Sequence, residues 1–139
     1  MKKFIMMVIA LVSMSTAASA QSVVDITIDL SEQELFIQTP DGQALWPVST
    51  GREGYDTPTG EFSVDRIEEE WYSKKYDDAP MPHSIFFFEG YAIHGTYDVK
   101  HLGLRASHGC VRLHPKNAEL LYEIVEYYGM ESTVVRIVP

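Results

Sequence analysis

The sequence predicts a mostly β fold, a sandwich or barrel-like arrangement of short strands with one packed helix. Short runs of alternating apolar and polar residues, separated by turn signals, are typical of half-buried strands. Only the segment after Pro115 repeats apolar side chains at helical spacing. The 139 residues include one cysteine, and a chain of this length can build a single core without disulfides.

The N-terminal half is predicted to form four strands. A tight turn at Ser31-Glu32 follows the first strand, and Asp41-Gly42 is a strong hairpin signal. Pro47 indicates an edge strand or a bulge, because proline has no N–H for an inner ladder. The predicted strands are Val24–Leu30, Glu34–Gln38, Ala44–Ser49 and, after a turn at 57–60, Glu61–Ile67.

The C-terminal half is predicted to hold three more strands and the helix. Pro115 suits the first helical position, and Gly129 is a good C-terminal stop. The strands are Ser84–Phe88, Tyr91–Ile93 and Ser132–Val138, and the predicted apolar helix face is Leu120, Leu121, Ile124, Val125 and Tyr128.

Residues 68–82 have no clean period and mix charged with aromatic side chains. A loop of this length is expected to cover a site rather than only connect two elements. Its aromatic residues Trp71, Tyr72 and Tyr76 either contact a substrate or pack the loop itself.

The N-terminus has the three parts of an export signal. Met1-Lys2-Lys3 is basic, the run from Phe4 to Met14 is apolar, and Ala18-Ser19-Ala20 fits a cleavage site. We therefore expect a signal peptide over 1–20, a mature domain over 21–139 and no membrane span after cleavage. The net charge of −9 makes nucleic acid and anionic lipid poor candidate partners.

Cys110 is the expected nucleophile. An exported protein with one cysteine cannot form an internal disulfide, so the thiol is free. A thiol attacks a carbonyl only as thiolate, and a histidine within reach takes its proton. The candidates are His94, at the end of a predicted strand, and His108, which would share a face with Cys110 if the segment were extended.

Two further contributions are expected around the thiol. The backbone N–H groups of Gly109 and Cys110 are candidates for an oxyanion hole. Arg112 is placed to bind a carboxylate by a two-pronged contact, although a solvated or core-capping arginine is the alternative.

Other interpretations remain open at this point. His94, His108, Cys110 and His114 have ligand types that suit zinc, but the paired spacing of a zinc site is absent from the sequence. We therefore predict no metal and no cofactor, and expect His83 and His101 at the surface. A non-catalytic binding module with a structural thiol is the second class of function. Thiol labelling separates the two classes, because a thiolate paired with His94 would be alkylated at mildly acidic pH.

The run His94-Gly95-Thr96 followed by Ser107-His108-Gly109-Cys110-Val111-Arg112-Leu113 resembles the signature of the L,D-transpeptidase catalytic domain family, also called YkuD-like. The resemblance extends over nearly all of residues 21–139. It includes the segments 29–35, 48–51, 57–62 and 79–82, together with Phe86-Phe87.

The resemblance implies a bacterial cell-wall enzyme in the periplasm. Cys110 would attack the carbonyl of the third residue of a peptidoglycan stem, commonly meso-diaminopimelate, and release D-alanine. An amine of another stem or an envelope protein would take the acyl group, while water would make the enzyme a carboxypeptidase. The chain is expected to act as a monomer.

The resemblance also implies residue roles. His94 would be the base, and the backbone carbonyl of Gly95 would orient it. His108 and Ser107 would shape the pocket, and Arg112 would bind a substrate carboxylate. Members of the family are inhibited by carbapenems, which acylate the cysteine.

Overall fold

The computed structural model describes residues 22–139. These residues form two main sheets, a small two-stranded sheet and one α-helix. In chain order the elements are β1 (Val24–Asp29), β2 (Glu34–Thr39), β3 (Gly42–Pro47), β4 (Gly60–Ser63), β5 (Arg66–Glu68), β6 (Tyr72–Ser73), β7 (Ala79–Pro80), β8 (Ser84–Phe88), β9 (Tyr91–Gly95), β10 (Val111–Leu113), α1 (Pro115–Tyr128) and β11 (Thr133–Val138).

The larger sheet has the strand order β3-β2-β1-β11-β4. Its central strands β1 and β11 run parallel, and the other neighbours are antiparallel. The side chains of β1 alternate between buried and half-buried, as its sequence pattern predicts. Pro47 ends the edge strand β3, where its missing N–H costs no ladder bond.

The smaller sheet has the order β10-β9-β8-β5, and only β9 and β10 run parallel. This parallel pair matters for function, because it brings the segment around residue 94 beside the segment around residue 112. The helix α1 follows β10 directly and packs against β9 and β8.

One hydrophobic core joins the two sheets and the helix. Ile26 and Ile28 come from the larger sheet, Ile85 and Ile93 from the smaller one, and Leu121 from the helix, and all are fully buried. A shared core between two sheets and a helix agrees with the fold class that the sequence predicts.

The helix begins at Pro115 and stops before Gly129, as predicted. Its buried residues are Ala118, Leu121 and Val125. Leu120 was expected on this face, but 47% of it is exposed, because it lies one helical step, about 100°, away from Leu121. It lines a groove of about 390 Å³ between the helix and the hairpin of β2 and β3.

The predicted strand Glu61–Ile67 is two strands in different sheets. β4 pairs with β11, and β5 pairs with β8. Between them Val64 is buried and the Asp65 N–H donates to the carbonyl of Phe86 at 2.8 Å. The chain therefore crosses from one sheet to the other here, between two strands of only four and three residues.

The strand predicted at Ala44–Ser49 begins and ends earlier, since β3 is Gly42–Pro47. After Pro47 the chain leaves the sheet edge, and Ser49 instead forms an isolated bridge with Arg112. The predicted loop 68–82 contains the short strands β6 and β7, joined by a 3-10 turn at Lys74–Tyr76.

The expected signal peptide 1–20 lies outside the described residues. Within residues 22–139, no helix is long and apolar enough to cross a membrane.

Candidate active site

The parallel pairing of β9 and β10 builds the candidate site. Arg112 lies directly opposite His94 in this register, and Cys110 immediately precedes β10. All three residues line one cavity of about 680 Å³. The strand register therefore brings His94 together with Cys110 and Arg112, which belong to a later segment of the chain.

The imidazole of His94 is held in one orientation. The residue is buried, and its Nδ1 lies 2.7 Å from the carbonyl oxygen of Gly95. A carbonyl can only accept, so Nδ1 carries the proton and Nε2 keeps its lone pair. This tautomer makes Nε2 the basic nitrogen of the ring.

Gly95 lies where a side chain would not fit easily. A Cβ atom on this residue would approach Pro82 to 3.1 Å, and both Ala118 and Pro115 to 3.3 Å. The glycine therefore allows the start of α1 to pack close behind the residue whose carbonyl orients His94.

The imidazole of His94 and the thiol of Cys110 both favour their neutral forms. The pKa of His94 is lowered to about 4, mainly by burial and also by the charge of Arg112, while the hydrogen bond to Gly95 opposes this shift. Burial also raises the pKa of the Cys110 thiol, although the Ala92 N–H and Arg112 oppose this. At rest the two groups are therefore a thiol and a neutral imidazole. They are not the thiolate and imidazolium that would react with alkylating reagents at mildly acidic pH.

The turn before Cys110 is braced by Ser107. The Ser107 hydroxyl donates to the carbonyl of Cys110 at 2.6 Å and accepts the N–H of Gly109 at 3.0 Å. The Gly109 N–H was expected in an oxyanion hole, but it is already hydrogen-bonded to Ser107. Of the two expected oxyanion donors, only the Cys110 N–H is not used by this bond. Ser107 is buried, so its hydroxyl supports the turn more directly than it meets a substrate.

His108 does not share an extended face with Cys110. The chain turns between them at Gly109, which has a φ of 122°. The ring of His108 stacks on Tyr76 with centroids 4.0 Å apart and meets the edge of Tyr55 at 5.0 Å. Burial lowers the pKa of His108, and the charges of Arg52, Arg112 and Lys75 lower it further. Its geometry is that of a wall of the cavity.

Arg112 presents an available guanidinium to the cavity. Its backbone N–H and carbonyl are both bonded to Ser49, at 2.9 and 3.0 Å, which fixes the strand. Among the described residues, no side-chain hydrogen bond or ion pair uses the Arg112 guanidinium. The side chain is therefore free to bind an anionic group.

The segment 68–82 forms one side of the cavity. Trp71 and Tyr76 line it, whereas Tyr72 does not and is 55% exposed. The guanidinium of Arg66 lies 3.7 Å from the ring centroid of Phe86 and 4.4 Å from that of Trp71. These contacts fasten the start of the segment to the smaller sheet.

Three buried residues that sequence reasoning missed support the site. The Gln33 side chain accepts the N–H of Thr50 at 2.9 Å, and the Thr50 carbonyl accepts the N–H of Ser107 at 2.9 Å. Thr57 donates to the carbonyl of Gly109 at 2.8 Å. The only sequence signal for Thr57 was its place in the segment 57–62, which resembles the family.

The remaining histidines have local partners. His101 lies 2.6 Å from a carboxylate oxygen of Asp98, and His114 accepts the N–H of Lys116 at 3.2 Å. His83 meets the ring of Tyr122 at 5.3 Å. His83 and His101 are half-buried rather than fully at the surface. Over residues 22–139, no group of three or more His, Cys, Asp or Glu is arranged to hold a metal ion.

The fold and the site define a β-rich domain with a cavity that is lined by both a cysteine and an oriented histidine. The family model of the L,D-transpeptidase catalytic domain, YkuD, matches residues 24–137. The chain therefore belongs to the L,D-transpeptidase catalytic domain family, as the resemblance predicted.

Named relatives and solved structures agree with this assignment. The chain is 29% identical over 125 residues to "Probable L,D-transpeptidase ErfK/SrfK" of Escherichia coli (strain K12), a match covering 72% of this chain and 40% of that protein. The L,D-transpeptidase structure from Stackebrandtia nassauensis superposes with a TM-score of 0.72 at 27% identity, covering 91% of this chain and 62% of that one.

More distant structures share the fold. The L,D-transpeptidase from Mycobacterium smegmatis superposes with a TM-score of 0.74 at 18% identity, covering 85% of this chain and 59% of that one. The matches thus span between about two fifths and three fifths of these relatives' own lengths.

Proposed function

We propose that the protein is a peptidoglycan L,D-transpeptidase that works by cysteine acyl transfer in the bacterial cell envelope. The observation that carries the proposal is the oriented imidazole of His94, which lines the same cavity as Cys110. Membership of the family supports the reaction class. The expected signal peptide supports the periplasm as the compartment.

The acylation step begins with Cys110 Sγ attacking the carbonyl of the third residue of a tetrapeptide stem. As the C–S bond forms, His94 Nε2 takes the thiol proton. Because the resting pair is neutral, this proton moves during the attack rather than before it. The tetrahedral intermediate then collapses, His94 returns the proton to the leaving nitrogen, and D-alanine departs from a thioester.

The second step regenerates the thiol. An acceptor amine attacks the thioester carbonyl, and His94 takes a proton from the amine and delivers it to the Cys110 sulfur as the C–S bond breaks. An amine of another stem gives a 3–3 crosslink, and an envelope-protein amine gives a protein-to-peptidoglycan link. Water as acceptor gives the carboxypeptidase reaction.

The charge around the cavity supports an anionic donor. The protein is acidic overall, yet Arg112 and Lys75 line the cavity and both act on His108. A local positive field in a cavity attracts carboxylates even when the net charge is negative. Arg112 has the planar guanidinium that suits two-pronged binding of a stem carboxylate.

The test is mass spectrometry of tetrapeptide muropeptides incubated with the purified protein and with Cys110→Ala. Loss of D-alanine together with a new dimer, in the wild type only, is the expected result. Loss of D-alanine without a dimer would assign water as the acceptor. No change with a folded wild-type protein would overturn the proposal. A thermal melt of Cys110→Ala shows whether that variant keeps its fold.

A further inference from the structure

The loop that connects β3 to β4 carries a buried hydroxyl beside the nucleophile. Thr57 is 4% exposed, although its neighbours Asp56 and Thr59 are exposed. Its Oγ1 lies 2.9 Å from the Gly51 nitrogen and 2.8 Å from the Gly109 carbonyl oxygen, which is 52 residues away. The hydroxyl therefore ties this loop to the turn that presents Cys110.

The direction of both bonds is fixed by chemistry. The Gly51 amide can only donate and the Gly109 carbonyl can only accept. The single proton of the Thr57 hydroxyl must therefore point at Gly109. Threonine is one of few side chains that satisfy both partners at once, since a hydroxyl is a donor and an acceptor.

This bond sets the orientation of one peptide plane. The peptide between Gly109 and Cys110 is trans, as are all the described peptide bonds, so its C=O and N–H point in opposite directions. Holding the carbonyl on the Thr57 side directs the Cys110 N–H to the other side. Glycine resists a peptide flip less than any other residue, so Gly109 gives this plane little stiffness of its own.

The other groups of this turn do not fix the orientation of the Gly109–Cys110 peptide plane. The Gly109 N–H is bonded to Ser107, so the Cys110 N–H is the donor of this pair left for a developing oxyanion. A Cβ on Gly109 would lie 2.6 Å from the ring of Tyr91, which excludes a stiffer residue there. The orientation of this peptide plane therefore depends on a hydrogen bond from outside the turn, the one from Thr57.

We propose that Thr57 is a positioning residue for acyl transfer: by holding the Gly109 carbonyl, it aims the Cys110 N–H at the oxygen of the tetrahedral intermediate. This inference rests on the proposed cysteine mechanism. Thr57 does not touch the reacting atoms, and its effect on them passes through this peptide plane.

The test compares two reactions of the same thiol. Acylation of Cys110 by imipenem, followed by intact mass, passes through an oxyanion. Alkylation by iodoacetamide is displacement at a saturated carbon and forms none. Thr57→Val keeps the shape of the side chain and removes the hydroxyl, Thr57→Ser keeps the hydroxyl, and Thr59→Val makes the same change at an exposed site on the same loop.

The expected result is selective. Thr57→Val lowers the acylation rate constant at least about tenfold, since loss of a full oxyanion donor costs about 10²–10³. The same variant alkylates at the wild-type rate, and its muropeptide kcat falls while KM is unchanged. Thr57→Ser and Thr59→Val behave as the wild type. If Thr57→Val does not fold, Thr57→Ala carries the same comparison.

Two results would overturn the positioning role. An acylation rate constant of Thr57→Val within twofold of the wild-type value would show that Thr57 has no positioning role. Equal losses in the acylation and alkylation rates would mean that Thr57 only stabilises the loop. Wild-type protein that reacts with imipenem but leaves muropeptides unchanged would overturn the proposed substrate alone, and the Thr57 comparison would still decide. Wild-type protein that is alkylated but reacts with neither acyl donor would overturn both proposals.

Discussion

Arg112 lies directly opposite His94 across the parallel pair of β9 and β10. The charge of Arg112 adds to burial in keeping the imidazole neutral and partly offsets the effect of burial on the thiol. One residue thus acts on both members of the proposed Cys110–His94 pair, and it also lines the cavity that would receive an anionic substrate. These shifts favour the proposed mechanism, in which the proton moves during the attack.

The pH dependence of thiol reactivity follows from these pKa shifts. His94 stays neutral above a pKa of about 4, so no imidazolium supports a thiolate at mildly acidic pH. Because the thiol pKa is raised, the rate of alkylation by iodoacetamide should keep increasing as the pH rises beyond neutrality. The rate should be measured across the acidic and alkaline range. A plateau reached below about pH 6 would indicate a resting ion pair instead.

The two candidate bases should differ strongly in mutational cost. His94→Ala removes the oriented Nε2 and should lower kcat by at least about a hundredfold, the usual scale of general base catalysis. His108→Ala removes a stacked wall of the cavity and should cost less in kcat. Steady-state rates of both variants on muropeptides measure the difference. A larger loss of kcat in His108→Ala than in His94→Ala would mean that His108 is the base.

The stack of Tyr76 on His108 should contribute mainly to substrate binding, since it holds the side of the cavity formed by the loop. An aromatic pair is worth about 0.5–1.5 kcal/mol, or a factor of roughly 2 to 10. Tyr76→Ala should therefore raise KM by about that factor, and Tyr76→Phe should retain the stack. Tyr72→Ala, at an exposed residue outside the cavity, is the control. A fall in kcat with KM unchanged would contradict this role.

The two adjacent leucines of α1 should differ in their effect on stability. Leu121 is fully buried, so Leu121→Ala should lower the free energy of unfolding by about 2–5 kcal/mol. Leu120 is 47% exposed, and Leu120→Ala should change it by only about 0.5 kcal/mol. Denaturant titration of both variants measures the difference. Equal losses would place Leu120 in the core, on the helix face that its sequence pattern suggested.

The sequence patterns predicted those strands and helix ends that are determined by residues close to one another in the chain. The alternation along Val24–Asp29 identifies a strand whose one face is buried, and Pro115 and Gly129 mark the ends of the helix. The exchange between β4 and β5 could not be predicted this way. The two strands have only four and three residues, and their distant partners decide which sheet each one joins.

The same distinction applies to the site. Cys110 and His94 stand out because their residue types and the surrounding motif predict a chemistry. Gln33 and Thr57 could not be identified in this way, because their roles consist of bonds to residues that are distant in the sequence. The turn at Gly109 likewise moved His108 away from the extended face on which it was expected.

In the proposed mechanism, Cys110 carries the acyl group as a thioester. The most direct measurement is intact-mass spectrometry, with peptide mapping, of the protein quenched in acid during reaction with a tetrapeptide stem whose acceptor amine is blocked. We expect an adduct with the mass of the stem acyl group without D-alanine, located on Cys110 and absent from Cys110→Ala. Release of D-alanine with no adduct, or an adduct on any other residue, would contradict the account.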